Sequence, residues 1–84
     1  MTVVCLWNES ESQNIDKCAQ HGVTPDEWEF AFEHYATDGF SDSSGRPFRI
    51  GESPDGRTLF LVFEWIEPDW MVLPVTGYEI EGAI

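Results

Sequence analysis

The chain has 84 residues, of which 42% are hydrophobic and 14% aromatic, and it carries 16 acidic against 4 basic side chains. This apolar content is enough to form a packed core, so the chain is not expected to stay disordered. Its length is that of a single domain. Its formal net charge of −12 repels nucleic acid and anionic membrane at long range, which argues against both as ordinary partners. No apolar run approaches the roughly 20 residues of a membrane-spanning helix, and no secretory signal is recognisable. We therefore expect a cytoplasmic protein.

The first half of the chain predicts a short strand followed by two helices. Residues 3–6 are apolar enough for an edge strand, and residues 8–20 predict a helix that ends at Gly22. Thr24 and Pro25 then have the residue types of an N-cap and a first helical position, so a second helix is expected from there. Residues 37–45 are rich in Gly, Ser and Asp and predict the longest loop.

The second half predicts three strands. Residues 58–66 form the longest apolar run and are rich in β-branched and aromatic side chains, as in a central strand. Strands near residues 47–53 and 70–75 are expected on either side. The resulting order, β-α-α-β-β-β, describes an α+β domain with two N-terminal helices packed on a small antiparallel sheet. Both faces of the central strand are largely apolar, so helices should cover one face and a partner or the C-terminal tail the other.

Several short motifs together resemble the BrnT toxin family. They are Leu6-Trp7-Asn8 before a helix that contains Asn14, the junction His21-Gly22-Val23-Thr24, and the hairpin segments 46–51 and 55–63. The resemblance covers about residues 6–75 and suggests that residues 1–84 form a single BrnT-like domain. It implies a RelE-like ribonuclease toxin fold, with an antitoxin partner in a type II toxin–antitoxin pair. Where the family has an arginine near its end, this chain has Tyr78, and no Lys, Arg or His follows Arg57. The catalytic residues of the family therefore cannot be assigned here.

Three of the four basic residues lie on one predicted hairpin, as Arg46, Arg49 and Arg57. One hypothesis is that they contact phosphate or a partner's carboxylates. The simpler alternative is that they pair with nearby acidic side chains, namely Asp42, Glu52 and Asp55. Without a general base beside them, such arginines form a binding feature rather than an active site.

Five further side chains have residue types that are common at functional sites. Trp70 and Tyr78 are either core residues or parts of an interaction surface. His21 is expected to stabilise the end of a helix, and His34 to be solvated. Cys18 and His21 offer only two metal ligands, so neither a metal nor another cofactor is predicted.

These features favour a BrnT-like domain that acts as a non-catalytic protein-interaction module. The first alternative is a metal-independent endoribonuclease of the toxin class, which would hold phosphate through the hairpin arginines. The second is an acidic mimic of nucleic acid that inhibits a basic protein. An antitoxin-like or otherwise basic protein is the expected partner, RNA is disfavoured by charge, and a homodimer is left open.

Overall fold

The computed structural model describes residues 3–7, 14–42, 45–68 and 70–80. Its elements are β1 (Val4–Cys5), α1 (Asn14–Gln20), α2 (Pro25–Glu33), β2 (Tyr35–Phe40), β3 (Pro47–Glu52), β4 (Thr58–Glu67) and β5 (Met71–Glu79). The strands form one sheet in the order β1-β5-β4-β3-β2. β1 is parallel to β5, and the other neighbouring pairs are antiparallel. The fold is α+β, with two helices and a mixed sheet in the described segments.

The prediction of two helices on a sheet is confirmed, but its details were wrong in two places. Residues 37–40 of the predicted loop over residues 37–45 belong to β2, which pairs with β3 as a hairpin. Pairing with β3 therefore outweighs the weak strand preference of Asp38 and Gly39. The sheet is also mixed rather than antiparallel, because β1 pairs in parallel with Met71 and Val72. Residues 8–13, including the predicted start of the first helix, lie outside the described residues.

The junction between the helices follows the predicted capping pattern. Gly22 has φ 74°, and the N–H of Val23 donates to the Cys18 carbonyl at 2.9 Å, which closes the end of α1. At the start of α2, the Glu27 N–H donates to Thr24 Oγ1 at 3.2 Å, and the Thr24 N–H donates to Glu27 Oε1 at 2.9 Å. These reciprocal bonds form a capping box, so local sequence fixes both helix ends at this junction.

The core lies between the helices and one face of the sheet. Trp28 is fully buried at its centre, stacks on Phe32 with 5.0 Å between ring centroids, and meets the edge of Phe63 at 6.4 Å. Its indole N–H donates to the Thr76 carbonyl at 3.1 Å, so the one polar atom of this ring is satisfied. The other buried hydrophobic side chains of the core are Cys18, Val23, Ala31, Leu59, Leu61 and Val72. None of the helices within the described ranges is long and apolar enough to cross a membrane.

Two glycines allow α2 to lie directly on the sheet. A Cβ at Gly51 would be 2.1 Å from the carbonyl oxygen of Ala31, and one at Gly77 would be 2.7 Å from Cδ1 of Trp28. The first contact is with helix backbone, which cannot turn aside as a side chain can. The helix axis is therefore set by the absence of a side chain at position 51.

We expect Gly51→Ala to lower the free energy of unfolding by about 3 kcal/mol or more, because α2 must move off β3 to make room. Gly39→Ala is the matched control: the atoms nearest to a Cβ there belong to the ring of Phe48, the first of them at 3.0 Å. Since that ring can move, the control should change stability by less than about 1 kcal/mol. Urea unfolding of both variants measures the difference, and equal losses would contradict this account of the α2 contact.

Candidate interaction surface

The three hairpin arginines do not form one cationic cluster. Arg46 lies just before β3, and its Nε is 3.6 Å from Glu64 Oε1 on the neighbouring strand. Arg49 projects to the opposite, helix-covered face of the sheet, where it contacts Phe32. Arg57 follows the turn at the far end of the hairpin. The three are close in sequence, but Arg46 precedes β3, Arg49 lies within it and Arg57 precedes β4, so they reach three environments.

Arg57 joins the hairpin turn to the junction between the helices. Its guanidinium donates to Glu27 Oε2 at 2.5 Å, to the Gly22 carbonyl at 3.0 Å, and to both carboxylate oxygens of Asp55 at 3.0 and 3.1 Å. The Thr24 N–H and then Arg57 lower the pKa of Glu27. The Ser53 hydroxyl and then Arg57 lower the pKa of Asp55. Arg57 is thus occupied by internal acceptors, as the simpler hypothesis held for its pairing with Asp55.

Arg49 is held by aromatic rings rather than by a carboxylate. Its guanidinium carbon lies 3.9 Å from the ring centroid of Tyr35 and 4.2 Å from that of Phe32. Its Nη1 donates to the Phe32 carbonyl at 3.2 Å, and its buried Nε has no hydrogen-bond partner in the described part of the chain. These contacts fasten the end of α2 to β3 through cation–π attraction. Neither Arg49 nor Arg57 is presented to solvent as a free phosphate ligand.

The face of the sheet turned away from the core carries a continuous aromatic stack. The ring of Phe60 lies between those of Phe48 and Tyr78, with centroid separations of 4.7 and 5.4 Å. Ile50 lies opposite Phe60, and Val62 lies opposite Phe48. All five side chains are partly exposed, in contrast to Leu59, Leu61 and Phe63 on the helix-covered face. We call this surface, made of Phe48, Ile50, Phe60, Val62 and Tyr78, the open face.

A cavity of about 250 Å³ lies beside the open face, between α1 and the middle of β5. Lys17 and Arg46 line it together with Glu64 and the buried Asn14, whose amide donates to the Leu6 carbonyl at 2.7 Å. Two of the four basic residues and one carboxylate therefore line the same cavity. Sequence reasoning missed this group, because Lys17 and Glu64 are 47 positions apart and no local pattern connects them.

Trp70 and Tyr78, the other predicted interaction residues, lie near opposite ends of the fifth strand. Trp70 is 46% exposed, and its carbonyl accepts from the N–H of Val4 at 2.8 Å. Tyr78 belongs to the open face, and its ring centroid is 5.6 Å from that of His21. The structure thus assigns Tyr78 to a larger surface and leaves Trp70 apart from it.

The two cysteines and the possible metal ligands in the described segments show no sign of a reactive site. Burial, followed by the nearby charges of Glu29 and Glu33, raises the pKa of Cys5 to about 12. Burial raises the pKa of Cys18 to about 11, although a hydrogen bond from the Gly77 backbone lowers it in part. Both thiols are therefore protonated and poorly nucleophilic near neutral pH. Across the described residues, no group of three His, Cys, Asp or Glu side chains is placed to hold a metal ion.

His34 lies at the end of α2 with its ring stacked on Phe30. The two ring centroids are 4.3 Å apart, and Nδ1 is 2.8 Å from the Phe30 carbonyl. The side chain is exposed, as predicted, yet it also completes the last turn of the helix.

Comparison with protein-family models, characterised proteins and solved structures finds no match for this chain. The function must therefore be argued from the geometry of its own residues.

We expect Arg57→Gln to lower the free energy of unfolding by about 1–2 kcal/mol at neutral pH, because several charge-assisted bonds at a half-buried site are lost. A lowered pKa means that folding favours the ionised carboxylate. The contribution of Glu27 is therefore present above its ordinary pKa of 4.5 and disappears as the pH falls below it. Denaturant unfolding between about pH 7 and pH 3 should show the difference from the unmodified chain shrinking with acid.

Arg46→Gln is the matched control, because the Arg46 and Glu64 side chains are 45% and 47% exposed. Its effect on stability should stay below about 0.5 kcal/mol at every pH. A larger loss for Arg46→Gln than for Arg57→Gln would contradict the assignment of Arg57 as the structural clamp.

Proposed function

We propose that this domain is a non-catalytic protein-binding module that docks its partner on the open face. The observation that carries the proposal is the aromatic stack of Phe48, Phe60 and Tyr78, which stays partly exposed although it lies at the centre of the sheet. Contiguous apolar surface of this kind marks sites of protein contact in soluble domains. Aromatic residues are also the side chains that most often contribute the binding energy of interfaces.

Charge specifies the kind of partner. Glu52 and Glu64 occupy the same side of their strands as the open face, at its two ends, and both are exposed. With a net charge of −12 on the whole chain, a basic protein is attracted and correctly oriented, whereas an acidic one is repelled. We include a BrnT-like origin in this proposal, because BrnT toxins bind an antitoxin protein. A cytoplasmic location is also part of the proposal.

A ribonuclease is the second candidate, and the cavity beside the open face favours it. Lys17 and Arg46 could hold a phosphate there, and Glu64 could accept a proton from a 2′-hydroxyl. Against this, Arg46 is already 3.6 Å from Glu64, so these three side chains together supply a net charge of only +1. A local charge of this size does not offset the net charge of −12 on the whole chain, which repels RNA. We therefore prefer protein binding to RNA cleavage.

The docking surface is tested by changing the centre of the aromatic stack. We expect Phe60→Ser to weaken binding of a basic partner, identified by cross-linking and measured by calorimetry, by at least tenfold, roughly the loss that removal of an interface anchor causes. Phe30→Ser is the matched control, because Phe30 is 39% exposed on the outer side of α2. Its affinity should stay within about twofold, and comparable losses in both variants would contradict the proposal.

The ribonuclease candidate makes a separate prediction. The purified chain should leave a defined transcript intact, and its expression should not arrest bacterial growth. If RNA is cleaved, and Arg46→Ala or Glu64→Gln lowers the rate by about a hundredfold or more, the catalytic candidate replaces the binding module. Arg57→Ala would then serve as the control, since Arg57 lies outside the cavity.

A further inference from the structure

The outer edge of β2 is a second surface with unpaired backbone groups. Among the residues that the structure describes, β2 is the last strand in the sheet order and pairs only with β3. Natural edge strands are commonly protected by Lys, Pro or a bulge. The pairing is irregular between Tyr35 and Thr37, but it is regular from Thr37 to Phe40. That regular stretch contains no Lys or Pro, so it can accept another strand.

The hydrogen bonds of the hairpin show which groups face outward. The Ser41 N–H donates to the Arg46 carbonyl at 2.8 Å, and the same register continues from Phe40 opposite Pro47 to Thr37 opposite Ile50. Bonded and non-bonded pairs alternate in an antiparallel ladder. The N–H and C=O of Asp38 and Phe40 therefore point away from β3. Pro47 lies opposite Phe40 and has no N–H to donate, as expected if Phe40 and Pro47 form a non-bonded pair.

An aromatic groove lies next to these groups. Its volume is about 150 Å³, and its lining includes Phe40, Phe63 and Trp65, with Arg49 and Asp38 among the polar contributors. Phe40 is 73% exposed, the most exposed large apolar side chain in the described segments. A strand added to the β2 edge directs every second side chain to the same face as Phe40. One apolar side chain of that strand can then occupy the groove.

We propose that the β2 edge binds an extended segment of a basic partner protein by strand addition, with one apolar side chain in this groove. The inference rests on the proposed function only for the charge of the partner, because the edge binds through the backbone groups of β2, which the open face does not use. Asp38 lies within the binding stretch, and Glu33 and Asp42 are exposed on either side of β2. Lysine or arginine in the added strand complements these carboxylates. A second copy of this chain would instead oppose one net charge of −12 with another.

The test uses the full chain, labelled for NMR, and a capped hexapeptide of alternating lysine and leucine. At saturation we expect amide exchange at Asp38 and Phe40 to slow by about tenfold or more, because both N–H groups become hydrogen bonded. Methylating alternate peptide nitrogens on the pairing edge should weaken binding by about tenfold, since those donors are lost. Replacing every lysine by glutamate should abolish binding. Phe40→Ser should weaken it, whereas the matched change Phe30→Ser should not.

Unchanged exchange at Asp38 and Phe40, full binding of the methylated peptide, or equal binding of the glutamate peptide would each overturn the inference. If the peptide instead protects amides around Phe60 and Tyr78, the edge proposal fails while the open face keeps its proposed function. Sedimentation provides the remaining check. Self-association of the chain that Phe40→Ser removes would assign the edge to a second copy and reject the basic segment.

Discussion

Backbone contact between α2 and β3 is the constraint on which the rest of the structure depends. The glycine at position 51 leaves the space that the Ala31 carbonyl occupies. With the helix so close, Trp28 reaches across to Gly77, and Phe32 reaches Phe63. That packing places both short helices on one face of the sheet. Because neither helix covers the other face, its aromatic side chains stay partly exposed. The proposed docking surface is thus a consequence of where α2 lies.

The scarcity of cations gives each arginine a distinct physical role. Arg57 joins a turn to a helix junction through carboxylates and a carbonyl, and Arg49 joins a helix end to a strand through aromatic rings. Both positive charges are therefore used within the fold. Among the arginines, this leaves Arg46 at the cavity beside the open face. An acidic chain that uses its cations for its own stability presents mainly negative charge outward, which suits recognition of a basic protein better than recognition of phosphate.

The open face and the β2 edge adjoin each other. The ring of Phe48, at one end of the aromatic stack, lies over Gly39, where a Cβ would be 3.0 Å from it. Gly39 lies between the two residues whose backbone groups point outward, Asp38 and Phe40. A single basic partner can therefore lie on the aromatic stack and continue as a strand along β2. Each surface alone is small, and their combination gives a larger and more specific interface.

The sequence by itself determined the local features of this protein: the N-cap at Thr24, the end of the first helix at Gly22, and a central strand with two largely apolar faces, one of them covered by helices. Those features depend on neighbouring residues and on strand or helix period, which a sequence displays directly. Only the tertiary structure decided that residues 35–40 form a strand, that β1 pairs in parallel with β5, and that Lys17, Arg46 and Glu64 share a cavity. The physical reason is that these outcomes depend on contacts between distant segments. A strand of weak intrinsic preference forms because its neighbour offers hydrogen bonds, and side chains far apart in sequence meet because the core packs in one way.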